Sequence, residues 1–348
     1  MELIIKPTER CNFKCTFCSS TNITDEKSKI LDLETIFSFL KRFPETGSII
    51  VNGGDPLMVD PGYYWKIIEF LDQEKMSTSI SFTSNLWAFK NSPSRWAPLF
   101  KNHRVSVTTS FNFGDTRRIT KDLVYTEPMF WGVSDLFLNE VGYRPDFISV
   151  ITDENDITAI KNVELAKQMG VECKLNYAMA SGDQIKPYIL SKIYKIYVQI
   201  YEMELWPWEY NTKQMMQRFS GRHQTCPQNR NCDSNIRCLQ PSGDYYSCGA
   251  FADDRLYPIS FEQEMSDVNV HRPLLNQTEL NALKIECYTC PMFNICNGCK
   301  KTIHDLKQHD SIERHCSGMK EIAKKVIEIN KKEAGNVLVK KRQPEVRL

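Results

Sequence analysis

Residues 2–18 read ELIIKPTERCNFKCTFC. A short apolar run passes into three cysteines, Cys11, Cys15 and Cys18, spaced C-x3-C-x2-C. The run predicts a strand, and the cysteines a loop at its C-terminal end. Tetrahedral zinc and protein-saturated iron–sulfur clusters each take a fourth ligand from the chain. The motif is therefore either a structural zinc knuckle completed from elsewhere or a metal centre with one place left for a ligand.

Outward from this stretch the chain alternates. LETIFSFLKRF, YYWKIIEFLDQEK, SRWAPLFKN, EPMFWGVSDLFLNEVG, ITAIKNVELAKQMG and YILSKIYKIYVQIYEMEL carry apolar residues at helical spacing. Between them GSIIVNGG, STSISFTSN, RVSVTTSFN, DFISVIT and VECKLNYAMA read as strands. Gly170 closes the fifth helical stretch, where a left-handed residue ends a helix cheaply. Alternation of this kind predicts a parallel sheet with helices packed outside it. Six β–α units are too few for an eight-fold barrel, so residues 1–205 are expected to form an open, partial (β/α)6 TIM-like barrel. Residues 206–224 are expected to bridge to a cysteine-rich domain, 225–317, with a hairpin at SGDYYS. A C-terminal helix and a flexible basic tail, 318–348, are expected to follow, the tail from Asn336 and the Lys-rich helix face in solvent.

Composition narrows the function. The 348 residues carry a formal net charge of +1, which gives no electrostatic footprint for nucleic acid or an anionic membrane. No apolar run approaches the roughly 20 residues a bilayer span needs, and the first residues lack the apolar core of a signal peptide. A reducing, cytoplasmic setting is expected, where 13 cysteines bind metal rather than pair as disulfides.

The predicted strand ends carry polar groups to one rim. Gly53, Gly54 and Asp55 follow strand two, Thr83 to Asn85 end strand three, and Ser110 and Asn112 end strand four. Joined to C-x3-C-x2-C, this pattern resembles the radical S-adenosylmethionine (SAM) superfamily. The resemblance implies that Cys11, Cys15 and Cys18 hold three irons of a [4Fe–4S] cluster. The fourth iron is then the place of S-adenosyl-L-methionine, whose reductive cleavage gives a 5′-deoxyadenosyl radical. It also implies that Phe17 packs beside cluster and adenine, and that Gly53, Gly54 and Asp55 stand for the Gly-Gly-Glu element receiving the methionine amino group. Asp55 there shortens the reach by one methylene. By the same resemblance Ser110 contacts the methionine carboxylate and Asn85 the ribose. No catalytic acid or base is assigned.

The last third adds Cys226-x5-Cys232-x15-Cys248, then Cys287-x2-Cys290-x5-Cys296-x2-Cys299, and Cys316. Such pairs can build zinc ribbons. Beside the opening motif they resemble a SPASM domain, which implies two auxiliary [4Fe–4S] clusters and three clusters in all. Cys226, Cys232, Cys248 and Cys299 would hold one, and Cys287, Cys290, Cys296 and Cys316 the other. The gap between Cys296 and Cys299 is one residue shorter than the family's usual spacing. Cys173 and Cys238 remain: Cys173 reads as a core thiol beside Val171 and Leu175, and Cys238, in the hairpin arm, is the alternative to Cys232 as ligand.

The SPASM resemblance implies an anaerobic peptide- or protein-modifying oxidoreductase that forms a thioether or carbon–carbon crosslink, or oxidises or epimerises a residue. A flavodoxin- or ferredoxin-type reductant is expected. With strand one starting at residue 2, a separate peptide-recognition protein or direct binding in the barrel mouth is expected as well. Gly249 follows Cys248 where sulfatase-maturating relatives carry an aspartate, which argues against formylglycine formation. A small-molecule dehydrogenase or carbon-skeleton enzyme, and a non-catalytic zinc-ribbon protein, are the rival readings. Glu172, Lys174 and Asn176 on strand six either line the cavity or fill solvent. Trp206, Trp208 and Tyr210 either stack on substrate or pack two domains together.

Overall fold

The computed structural model describes residues 1–19, 29–217, 235–259, 299–309 and 312–342. Six parallel strands, β1 (Glu2–Ile5), β2 (Ser48–Val51), β3 (Ser79–Thr83), β4 (Val105–Ser110), β5 (Asp146–Ile151) and β6 (Cys173–Tyr177), lie side by side in chain order. An order that never reverses is that of a barrel wall, not of a doubly wound sheet. Each connection passes through helix: α1 (Leu33–Arg42), α2 (Pro61–Gln73), α3 (Trp87–Asn91) with α4 (Pro93–Phe100), α5 (Glu127–Val141) and α6 (Ala159–Met169). After β6 come α7 (Leu190–Glu202) and α8 (Tyr210–Gln217). The short α3 is an element the periodicity does not predict. Asn85 accepts a hydrogen bond from Trp87 N at 2.8 Å ahead of it, and Pro93 starts the next helix.

Two-residue alternation decides which way each side chain points. Leu3, Ile5, Ile49, Val51, Ile80, Phe82, Val107, Phe147, Ile151 and Leu175 are buried in the apolar layers where the helices pack. The alternate positions include Ser81, Thr83, Thr108, Ser110, Lys174 and Asn176, partly exposed on the opposite face. A parallel sheet covered on both faces is apolar on both. Here the inner face mixes these polar groups with Ile50, Ile148 and Val150, so it offers a ligand both hydrogen bonds and apolar contact.

The hairpin predicted at SGDYYS forms, but its first strand joins the main sheet. Strand β7 (Ile236–Leu239) pairs parallel with β1 from Glu2↔Ile236 to Ile5↔Leu239, and β8 (Tyr245–Tyr246) lies antiparallel beyond it. The sheet is thus eight-stranded, in the order β6-β5-β4-β3-β2-β1-β7-β8, and β1 is an interior strand. At the other edge, buried Glu209 accepts Leu175 N at 2.9 Å, and Asn211 donates to Leu175 O at 2.7 Å.

Three further helices are α9 (Gly249–Asp253), α10 (Lys300–Gln308) and α11 (Ile312–Arg342). Helix α11 corrects the expected C-terminal boundaries. It starts before residue 318, so Cys316 lies within it, and it continues through 336–342, part of the expected tail. Nor is it simply solvated: Met319, Ile322, Ala323, Val326 and Ile329 are buried in the core shared with α7. No described helix is long and apolar enough to cross a membrane.

Candidate active site

The cysteine loop leaves the C-terminal end of β1 and is pinned by main-chain bonds from three rim segments. Gly54 N and Asp55 N donate to Thr8 O and Arg10 O, at 2.9 and 2.8 Å. Lys14 N and Thr16 N donate to Arg118 O and Thr116 O, at 2.7 and 2.9 Å, and Asp183 N to Cys18 O at 3.0 Å. Gly53 has φ +116°, and a Cβ on it would stand 2.6 Å from Thr8 O; one on Gly54 would stand 2.2 Å from Arg10 O. Only glycine allows this approach. The pair that the motif assigns to a ligand thus also shapes the loop.

Cys11, Cys15 and Cys18 share the wall of a cavity of about 680 Å³. Phe13 N–H points at Cys11 Sγ, 3.3 Å away, and Asn85 Nδ2 lies 3.8 Å from it. Burial holds the Cys11 thiol well above the usual thiol range. Among the described residues no three His, Cys, Asp or Glu side chains converge on a single-ion site. Three sulfurs round one hollow, backed by N–H groups and a glycine cradle, are a donor set that fits a thiolate-held iron–sulfur group.

Asp55 and Asn85 are placed differently from Gly53. The Asp55 carboxylate is 1% exposed and fully engaged. It accepts Leu57 N at 2.9 Å, Asn85 N at 3.0 Å, and the Ser84 hydroxyl at 3.1 Å from both oxygens. Burial pushes its pKa up to about 6 against those donors. Asn85 Nδ2 donates to Asn12 Oδ1 at 2.7 Å while its Oδ1 accepts from Trp87 N at the start of α3. Both tie the segment after β3 to the neighbouring rim segments, and neither lines either cavity described here.

A second cavity, about 420 Å³, lies at the barrel mouth. Cys18 belongs to both walls, and Phe17, Gly53, Thr83, Ser110, Lys174 and Asn176 line this one. Strands β2 to β6 therefore do converge on one space. Glu172 does not reach it, being ion-paired with Lys213. Sequence reasoning missed Arg117, which is only 5% exposed yet lines the mouth. Its Nη1 donates to Ser110 Oγ at 2.9 Å and its Nε to Asn112 Oδ1 at 3.2 Å, and its guanidinium lies 5.1 Å from the Phe17 ring. No carboxylate pairs with it among the described residues. The only available signal was an arginine pair, Arg117 and Arg118, shortly after strand four.

Two C-terminal segments dock beside this mouth. Buried Lys6, just past β1, is ion-paired with Asp253 of α9, which lines the cavity, and lies 3.5 Å from Gly249 O. Burial alone would lower the Lys6 pKa, but Asp253, Cys238 and Glu9 together outweigh it and raise it. Helix α10 docks on the loop after β6: Tyr177 OH meets Thr302 Oγ1 at 2.9 Å, Ala180 N donates to Asp305 at 3.1 Å, and Lys301 Nζ reaches Ala180 O at 2.7 Å. Lys301 is also paired with Asp305, and with Asp254 at 2.7 Å. Cys248 caps α9 and Cys299 immediately precedes α10. Cys226, Cys232, Cys287, Cys290 and Cys296 lie outside the described residues. Cys173 is a fully buried core thiol. Cys238 is buried in β7 against Tyr246 and Ala252, and burial pushes its thiol up to about 12. Trp206 and Trp208 pack on the core, while Tyr210 carries Lys174 Nζ 5.2 Å from its ring.

The structure thus joins a partial barrel to a three-thiol loop at its mouth, beside a lumen. The Radical SAM superfamily model matches residues 5–187, more than half of the chain. The chain belongs to that superfamily, and it is an enzyme of that class. No curated protein matches it. Among solved structures, native anSMEcpe with bound AdoMet and Kp18Cys peptide superposes with a TM-score of 0.70 at 16% identity, covering 95% of this chain and 99% of that one. Streptococcus suis SuiB bound to S-adenosylmethionine gives 0.55 at 18% identity, over 85% and 71%. SuiB bound to precursor peptide SuiA gives 0.52 at 17% identity, over 77% and 64%. At such identities these likenesses establish the fold.

Proposed function

We propose that this chain is a peptide-modifying radical SAM enzyme of SPASM type. Cys11, Cys15 and Cys18 would hold the SAM-binding [4Fe–4S] cluster. Two auxiliary [4Fe–4S] clusters would rest on Cys226, Cys232, Cys248 and Cys299, and on Cys287, Cys290, Cys296 and Cys316. When bound, cluster and cofactor supply hydrogen-atom abstraction by a 5′-deoxyadenosyl radical. The chain's residues do the positioning. Ser110 and Arg117 present a hydroxyl and a guanidinium to the methionine carboxylate. The backbone at Gly53 receives its ammonium, and Phe17 offers a ring face to the adenine. The docked α9 and α10 segments screen the mouth from water. The observation carrying this reading is the shared Cys18 wall, which sets the three-thiol hollow directly against the lumen holding Ser110 and Arg117. Bound peptides in structures of like fold support a peptide substrate, and a reducing cytoplasm with a flavodoxin- or ferredoxin-type donor suits the thiols.

The test is anaerobic reconstitution of the full chain. Roughly twelve irons per chain and 5′-deoxyadenosine on reduction with SAM are expected. Replacing Cys11, Cys15 and Cys18 together by alanine removes about four irons and all cleavage. Zinc in place of iron, or intact SAM under reduction, overturns the reading.

A further inference from the structure

The mouth cavity carries two cations and one carboxylate, and that carboxylate and those nearby are already engaged. Asp253 is ion-paired with Lys6, and Glu172, which precedes β6, with Lys213. Glu209, at the β6 edge, accepts backbone N–H groups of Leu175, Asn211 and Thr212. Arg117 and Lys174 both line the mouth, and neither has a carboxylate partner among the described residues. Lys174 has only the Tyr210 ring, at 5.2 Å. Two cations in a low-dielectric hollow repel each other and attract anions strongly.

One anion is accounted for by the proposed function, on which this inference rests. The methionine carboxylate would take Arg117, which is held ready by Ser110 and Asn112. That cofactor also brings an ammonium, so it leaves the second cation without a counter-ion. Lys174 stands on the strand farthest across the sheet from β1, where a substrate rather than the cofactor would reach it.

We propose that the substrate presents a carboxylate to Lys174, as an acidic side chain or chain terminus of a peptide or as a small carboxylic acid. The ammonium is a point charge that swings on a flexible stem, so it selects for charge more than for shape. Tyr210 limits that swing and aims it into the lumen.

The test uses the reconstituted full chain with SAM bound. Two fluorescein-labelled pentapeptides, identical except for a central Glu or Gln, are titrated by anisotropy. N-acetylglutamate and N-acetylglutamine serve as unlabelled competitors. The acid of at least one pair is expected to bind about tenfold or more tightly than its amide, as a partly desolvated charge pair provides. A preference confined to the peptides identifies a peptide carboxylate, and one shared by N-acetylglutamate a small acid. Lys174→Gln should bring the ratio to about one, and Lys174→Arg should keep it, which separates charge from folding. Arg117→Gln should instead weaken SAM binding. Equal binding of acid and amide in both pairs, no binding of either pair, or a preference that survives Lys174→Gln overturns the inference. Wild-type enzyme that cleaves SAM but shows no preference for acids overturns this inference alone. Failure to cleave SAM overturns the reading beneath it.

Discussion

The two edges of the six-strand wall are finished in opposite ways. At β1 a strand from far along the chain supplies main-chain partners over four residues, and the Lys6–Asp253 pair fastens the segment that follows. At β6 the described sheet ends, and side chains do the sealing: Glu209 accepts Leu175 N, while Asn211 and the Tyr197 hydroxyl donate to Leu175 O. Glu209 makes a single bridge beside Cys173 and gathers the N–H groups of Leu175, Asn211 and Thr212. A strand edge must be paired or capped. The first solution spreads main-chain hydrogen bonds that no substitution short of proline deletes; the second rests on a few side chains, with Glu209 also holding the first N–H groups of α8. Tolerance to substitution should therefore differ sharply between the two edges.

The largest effect is expected from Glu209→Ala, which strands three buried donors and should cost about 4 kcal/mol in urea unfolding. A loss under about 1 kcal/mol would show that water replaces the carboxylate and that the edges are alike. Next comes Lys6→Met, which leaves Asp253 beside the lumen without its cation and should cost about 3 kcal/mol. Adding Asp253→Leu should return part of it, and the double-mutant cycle measures the coupling. Between the edges lies buried Asp55, with its pKa raised from 3.8 to about 6. A raised carboxylate pKa favours the fold while the group is protonated. Its contribution, about 2–3 kcal/mol by linkage, is complete below 3.8 and lost as pH rises through about 6. Asp55→Asn should flatten that part of the stability–pH curve relative to wild type, and parallel curves would refute the assignment. Burial also raises Glu209, so its pH dependence has the same sign. The smallest effect is expected at the main-chain edge: Ile236→Val removes one methylene from β7 and should cost about 1 kcal/mol.

Local pattern carried most of the wall. Each of the six strands is a short β-rich run whose alternate residues meet the helices, so period and punctuation sufficed. Pairing of β1 with β7 was not legible, because nothing in ELII names IRCL as its neighbour; that choice is made by tertiary packing. Helix α11 was legible in kind but not in extent, since a Lys-rich helix end carries no apolar stop signal. At the site, the cysteines and glycines announce themselves by spacing. Arg117 does not, because its meaning depends on being buried beside Ser110. Asp55 and Asn85 were legible as rim residues, whereas their hydrogen bonds to neighbouring loops could be seen only in three dimensions.

The interior position of β1 has a kinetic consequence. Of the parallel strands, β1 leaves the ribosome first and β7 last, so one flank of the earliest strand stays bare through most of synthesis. Contacts this distant in sequence form late and slowly. The loop that follows β1 therefore spends its early life half-walled, and metal delivered in that interval would meet thiols not yet enclosed. That loop is fully walled only once residues 236–239 have been made and have paired with β1.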